Sequence, residues 1–200
     1  MTLRYTFNDL LNLFPSRRIK KEKERVRERI LQRRRIMSRE DVQQRSEKIR
    51  QQIEQTDIFQ QAQHIMLYYP IRHEVDLLQL VEQYADTKHF YLPVVHRASI
   101  EVKPFAPKQE LHRGKFGIPE PQGKAYKGPI DLIIIPAVAF DHLKHRLGRG
   151  GGYYDRFLNK NNKAKKMGVG YDYQLIDTTL PHNFRDKNMD IIVTETNIIK

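Results

Sequence analysis

The stretch PIDLIIIPAVAFDHLKHRLGRGGGYYDRFL, residues 129–158, constrains the fold more than any other. It contains an unbroken apolar run, residues 132–135 (LIII), behind Ile130 and Asp131. A strand with one wet face alternates apolar and polar side chains. This run does not, so it reads as a strand buried on both faces, as in the parallel sheet of an α/β protein. Pro136 is expected to end it, because proline offers no N–H to the ladder. Four glycines in five residues follow, Gly148-Arg149-Gly150-Gly151-Gly152, and then Tyr153-Tyr154-Asp155-Arg156. Glycine lets the backbone approach a bound group closely and leaves its amide donors open. A helix starting near Gly152 would aim its N-terminus at the same place, with Arg146 and Arg149 adding charge. Together these make an anion site, and phosphate is the expected occupant. Neither standard nucleotide fingerprint is present: Tyr153 stands where the dinucleotide pattern needs glycine, and no Gly-Lys-Ser/Thr follows. A flexible turn is the bland alternative. Two arginines, a tandem tyrosine and an acidic residue in one loop weigh against it. A tyrosine here can stack on a flat ring or simply pack in the core with its hydroxyl satisfied.

The rest of the chain alternates strand-like and helix-like segments. Residues 19–37 contain no Gly or Pro and many strong helix formers. Val26, Ile30, Leu31 and Ile36 form one narrow apolar stripe. Lys23 and Arg27 sit four apart, on one face. Ser38 starts a second helix, with Asp41 three residues on as a weak capping box. Residues 64–69 (HIMLYY) read as a strand. Ile71-Arg72-His73-Glu74-Val75-Asp76 then leads into a helix of Leu77, Leu78, Leu80 and Val81. Glu74 or Asp76 could cap that helix. Residues 89–95 read as a second strand, and residues 99–105 as a third, antiparallel and near an edge. Gly114-Lys115-Phe116-Gly117 leads into Ile118-Pro119-Glu120-Pro121, a rigid loop that shapes the site and does no chemistry. Residues 167–172 and 190–194 read as two further strands, with Asp186 in the loop before the last. The expected fold is a single open α/β domain: a mostly parallel sheet with helices on both faces, three layers, Rossmann-like. Residues 1–18 are an N-terminal extension, in which Phe7, Leu10, Leu11, Leu13 and Phe14 suit a short amphipathic turn; residues 19–200 are the catalytic domain.

Composition narrows the classes. Two hundred residues can bury a sizeable core. Cysteine is absent, so no disulfide framework or thiolate metal site exists. No apolar run approaches a membrane span, and the N-terminus lacks the pattern of a secretory signal. The expected compartment is the cytoplasm, with no membrane partner. The net charge is +12, and residues 17–50 hold fifteen Lys/Arg against six Asp/Glu. Such a block raises nucleic acid, a membrane surface or an anionic substrate, against a merely solvated helix face.

PAVAFD followed by RLGRGGGYYDRFL resembles the signature of the 5-formyltetrahydrofolate cyclo-ligase family. Weaker likeness extends from about residue 19 to the C-terminus. The resemblance implies ATP-dependent cyclisation of 5-formyltetrahydrofolate to 5,10-methenyltetrahydrofolate, with ADP and phosphate released. It implies an ATP site of Lys23, Arg27, Arg146, Leu147, Gly148, Arg149, Gly150, Gly151, Gly152, Tyr153 and Tyr154. It implies folate contacts from Ile71, Glu74, Asp76, Arg149 and Gly150 to Tyr153, with Asp76 fitting the acidic position better than Glu74. Apart from the family, a carboxylate suits a pterin, whose amino and ring N–H groups are adjacent donors. Arg149 and Tyr153 are the residues expected at the chemistry. Mg²⁺ would be held by Asp155 and Asp186. Some family members carry lysine where Gly151 stands, so charge screening here rests on Lys23, Arg27, Arg146 and Arg149. The expected partner is 5-formyltetrahydrofolate, polyglutamylated or not, bound by a monomer.

Two other readings compete. One is a nucleic-acid-binding protein using the basic 17–50 helical arm, which leaves the glycine loop unexplained and has no interleaved aromatics. The other is a phosphate-binding enzyme of another class on a similar α/β scaffold. That reading has no need of Lys23, Arg27 or two metal carboxylates.

Overall fold

The computed structural model describes residues 15–96, 99–182 and 186–200. The amphipathic turn expected over residues 7–14 lies outside the described residues.

A seven-stranded sheet forms the middle layer. In chain order its strands are β1 (His64–Met66), β2 (His89–His96), β3 (Ser99–Phe105), β6 (Leu132–Pro136), β9 (Lys165–Val169), β11 (Ile191–Val193) and β12 (Ile198–Ile199). Across the sheet the order is β12-β11-β9-β6-β1-β2-β3. The five inner strands are parallel, and β3 and β12 close the two edges antiparallel. The edge position expected for residues 99–105 is therefore observed.

The four residues of the apolar run in β6 are all fully buried. Leu132 and Ile134 face one core, Ile133 and Ile135 the other. The first core is filled by Ile49 and Ile53 of α2 (Arg39–Glu54), Phe59 of α3 (Asp57–Gln61), and Leu80 and Val81 of α4 (Leu78–Tyr84). The second is filled by Phe157 and Leu158 of α5 (Tyr153–Lys160). This is the three-layer arrangement expected from the sequence. Pro136 is itself the last residue of β6, aligned with Val169, rather than the first residue beyond it. It can close a strand because that end needs no further donor.

Helix α1 (Pro15–Arg35) begins four residues earlier than the sequence suggests, so the expected junction between residues 18 and 19 falls inside it. Ile30 plants α1 in a third, small core with Val138, Ala139, Leu147 and Leu180. That core lies on a three-stranded sheet, β10 (Leu175–Ile176), β7 (Ala139–Asp141) and β8 (Arg146–Leu147), which the sequence reading missed. Ile36, expected on the buried stripe, is 81 % exposed. The helix ends at Arg35, so the helical period no longer carries the next residue inward. The second helix starts as expected: the Asp41 N–H donates to Ser38 Oγ at 3.0 Å and the Ser38 N–H to Asp41 Oδ2 at 3.3 Å.

Candidate active site

The sheet changes direction of winding between β1 and β6. From β1 the chain passes through α4 to β2 on one side; from β6 it proceeds to β9 and β11 on the other. Two loops therefore leave adjacent carboxyl ends and diverge, opening a crevice of the kind that binds ligands in open α/β sheets. The loop after β1 carries Glu74. The segment after β6 carries β7, β8 and the glycine loop.

Glu74 joins the two sides. Its Oε1 accepts from Arg149 Nη2 at 2.8 Å and from Arg34 Nη1 at 3.4 Å, and its Oε2 accepts from the Ile71 N–H at 3.3 Å. Glu74 and Arg34 are buried, and Arg34 Nη2 also donates to the Ala137 carbonyl at 2.8 Å. One carboxylate thus holds the β1 loop, helix α1 and the glycine loop together.

Helix α1 reaches the same loop further along. Arg27 Nε donates to the Gly148 carbonyl at 2.8 Å, linking residues 121 apart in sequence. Burial pulls the Arg27 guanidinium below its usual range, while Glu24 and Asp186 push back. One turn earlier, Lys23 pairs with Asp186. Lys23, Arg27, Ile30 and Arg34 are one stripe of a helix, and the sequence reading missed its last member. The signal was available in the spacing, but Arg34 sits in a run of three arginines that hides it.

The loop conformation needs its glycines at two positions above all. Gly150 has φ +101°, a region only glycine enters freely, and Gly152, at +65°, is the left-handed residue that launches α5. Arg146 is buried behind the loop, with Nη2 on Asp155 Oδ1 at 2.8 Å and a buried Nε that has no hydrogen-bond partner among the described residues. The Lys187 N–H also donates to Asp155 Oδ1, at 3.4 Å, which draws the Asp186 segment toward Asp155. Tyr154 is half-buried with Arg146 5.6 Å from its ring centre, and burial, with Glu74 nearby, pushes its hydroxyl well above the usual value. Tyr153 stands at the lip of the loop, with Arg156 5.1 Å from its ring centre.

Asp76 and Leu147 have further local contacts. The Asp76 carboxylate accepts from the Leu78 N–H at 2.9 Å, and the Asp76 carbonyl accepts from Arg50 at 2.8 Å. That carboxylate serves the start of α4, whereas Glu74 is the acid engaged by the loop arginine. The Leu147 side chain is 2 % exposed within the α1 core, so only its backbone can face a nucleotide. Ile71 lies half-buried beside Glu74. Among the described residues no group of three or more His, Cys, Asp or Glu could hold a metal by itself. Asp155 and Asp186 are instead each paired with a cation, Asp155 with Arg146 and Asp186 with Lys23.

These features define an α/β enzyme scaffold with a cationic, glycine-lined crevice at the switch point of its sheet. Comparison with known proteins gives the family. A sequence model described as the 5-formyltetrahydrofolate cyclo-ligase family matches residues 19–195. The 5-formyltetrahydrofolate cyclo-ligase of Escherichia coli K12 is 32 % identical over 168 residues, covering 72 % of this chain and 92 % of its own. The NMR structure of 5,10-methenyltetrahydrofolate synthetase from Aquifex aeolicus superposes with a TM-score of 0.78 at 36 % identity, over 89 % of this chain and 92 % of the other. The corresponding synthetase of Mycoplasma pneumoniae gives 0.69 at 25 % identity, over 86 % and 98 %. The chain belongs to the 5-formyltetrahydrofolate cyclo-ligase family.

Proposed function

We propose that this protein closes the five-membered ring of 5,10-methenyltetrahydrofolate from 5-formyltetrahydrofolate, driven by ATP, in the crevice between the β1 loop and the glycine loop. The observation that carries the site assignment is the contact of Arg27 with the Gly148 carbonyl. It brings a second cationic element, remote in sequence, onto a glycine loop that already has Arg146 and Arg149.

The formyl oxygen of an N-formyl group is a poor leaving group. Its attack on the γ-phosphorus forms a P–O bond and breaks the bond to ADP, while the N5 lone pair moves into a C=N bond. N10 then attacks the formyl carbon, the C–O bond breaks, phosphate departs with the electron pair, and N10 gives its proton to solvent or phosphate. N10 is an aniline-type nitrogen, so no strong general base is required. The protein mainly aligns the two substrates and screens the transferring phosphoryl group. Lys23, Arg27, Arg146 and Arg149 supply positive charge, and the loop amides and the start of α5 supply donors. Mg²⁺, held by Asp155 and Asp186, would add neutralisation of the phosphates. Glu74 and Ile71 would face the folate, with Tyr153 against its ring. The reading extends to a monomer in the cytoplasm and to a polyglutamylated substrate, whose anionic tail the basic outer face of α1 suits.

The test mixes protein, 5-formyltetrahydrofolate, MgCl₂ and ATP and follows the absorbance of the methenyl product. Product that requires ATP and collapses in Arg149→Ala supports the assignment. Wild-type protein that makes none, and binds neither substrate, refutes it.

A further inference from the structure

The ion pair at the centre of the crevice joins two groups that the proposed reaction uses separately. Glu74 is to accept from the folate and Arg149 is to screen the phosphoryl group, yet Arg149 Nη2 lies on Glu74 Oε1 at 2.8 Å. The two partners are held differently. The Glu74 side chain is 7 % exposed, with the buried Arg34 and the Ile71 N–H on it from the protein side. The Arg149 side chain is 38 % exposed. A ligand arriving from solvent therefore meets Arg149 before it meets the carboxylate.

Arg149 can leave that carboxylate without the loop moving. Its neighbours in the chain are Gly148 and Gly150, so neither adjacent residue carries a Cβ to restrict its rotamers. The loop is pinned on both sides of it. Arg27 Nε donates to the Gly148 carbonyl at 2.8 Å, and Arg156 Nη2 to the Gly151 carbonyl at 3.1 Å. Further on, the Tyr153 ring meets Phe116 edge-on, centroids 6.2 Å apart, at the tip of a hairpin of β4 (Leu111–Arg113) and β5 (Pro119–Pro121). The buried Glu120 carboxylate ties that hairpin to the main sheet by accepting from the Val95 N–H of β2 at 3.3 Å.

We infer that Glu74 and Arg149 form a latch that couples the two substrates: each substrate takes its own partner out of the pair and so releases the other partner for the other substrate. This deepens, and rests on, the cyclo-ligase reading. Two adjacent N–H donors on a pterin call for both oxygens of one carboxylate, and Arg149 occupies Oε1. A polyphosphate carries more negative charge than a carboxylate and suits the same guanidinium fork, so nucleotide draws Arg149 off Glu74. The carboxylate then opens to the pterin, still oriented by Arg34 and the Ile71 N–H. In the reverse order, folate on Glu74 leaves Arg149 without an anion until ATP arrives. The coupling is one free energy, so each ligand tightens the other by the same factor. A pair that merely braced the fold would stay closed with both ligands bound and give no such factor.

Isothermal titration calorimetry on the whole protein reads the latch. The Kd of 5-formyltetrahydrofolate should tighten about fivefold when β,γ-imido-ATP and Mg²⁺ are saturating, and the Kd of that analogue should tighten about fivefold at saturating 5-formyltetrahydrofolate. In Arg149→Ala, checked as folded by circular dichroism, both factors should fall to within about 1.5-fold of unity. Without nucleotide, folate should bind this variant at least as tightly as wild type, because its competitor for Glu74 is gone. Wild-type Kd values that neither ligand moves, a coupling that survives Arg149→Ala, or a nucleotide-free folate Kd that weakens in that variant would each overturn the latch. ATP-dependent turnover by the wild type would then leave the cyclo-ligase reading standing, whereas absence of turnover would remove both.

Discussion

Replacing Glu74 by glutamine isolates the joint between the two halves of the site. In the wild type one buried carboxylate faces two guanidinium groups, Arg149 at 2.8 Å and Arg34 at 3.4 Å, and takes the Ile71 N–H on its other oxygen. Glutamine keeps one acceptor but removes the charge, leaving the Arg34 cation buried without an anion. Breaking a buried pair from one side costs about 3–5 kcal/mol. The retained acceptor and the second anchor of Arg34, on the Ala137 carbonyl, bring the expectation to about 2–3 kcal/mol. The Arg149 side chain is 38 % exposed, so solvent screens its share to under about 1 kcal/mol. In urea unfolding followed by circular dichroism, Glu74→Gln should lose about 2–3 kcal/mol, with Tm falling by roughly 5–10 °C for a domain of this size. Arg149→Ala alone should lose less than about 1 kcal/mol, and the double variant should fall short of additivity by about 0.5–1 kcal/mol because the two side chains touch. A Glu74→Gln loss below about 0.5 kcal/mol, together with additivity within about 0.3 kcal/mol, would refute the joint.

Arg27→Ala should raise KM for ATP about tenfold or more through loss of a charge-assisted contact at the loop, with the folate KM little changed, as read by initial rates over an ATP series. Gly150→Ala places a side chain at φ +101°; it should lower kcat/KM by about tenfold and shift Tm by only a few degrees, since the loop rather than the core takes the strain. Asp141, buried on β7, accepts from the N–H groups of Leu143, His145 and Leu180 and from the His145 ring. Burial pushes its carboxyl up, but these bonds and the His145 charge outweigh it and hold the group below its usual range. A carboxyl lowered in the folded state stabilises fully above its unfolded pKa, and the gain is lost as pH falls through the folded value. Asp141→Asn should therefore cost about 2–3 kcal/mol near pH 7, with the difference from wild type shrinking below about pH 4 in a pH series of unfolding curves.

Much of this architecture was legible because its signals are local. The unbroken run in β6 could only be doubly buried, Ser38 and Asp41 mark a helix start by chemistry alone, and the glycines with Arg146 and Arg149 mark an anion loop. Short elements were not legible. β8 and β10 have two residues each, too few for any period to register. The different settings of Glu74 and Asp76 were also hidden, since both are acids two residues apart. What separates them is the long-range reach of Arg149 and Arg34 to one, and the adjacent start of α4 at the other. The left-handed backbone of Phe116 was not legible either, because nothing in sequence reports that the turn between residues 113 and 119 will hold a phenylalanine at φ +62°.

The central claim is that ATP activates the formyl oxygen in the glycine-loop crevice. The direct measurement uses 5-formyltetrahydrofolate labelled with ¹⁸O in the formyl group, turned over to completion with ATP, followed by mass analysis of the inorganic phosphate. The account predicts one ¹⁸O in each phosphate released with methenyl product. Unlabelled phosphate, with the label recovered in water, would contradict it.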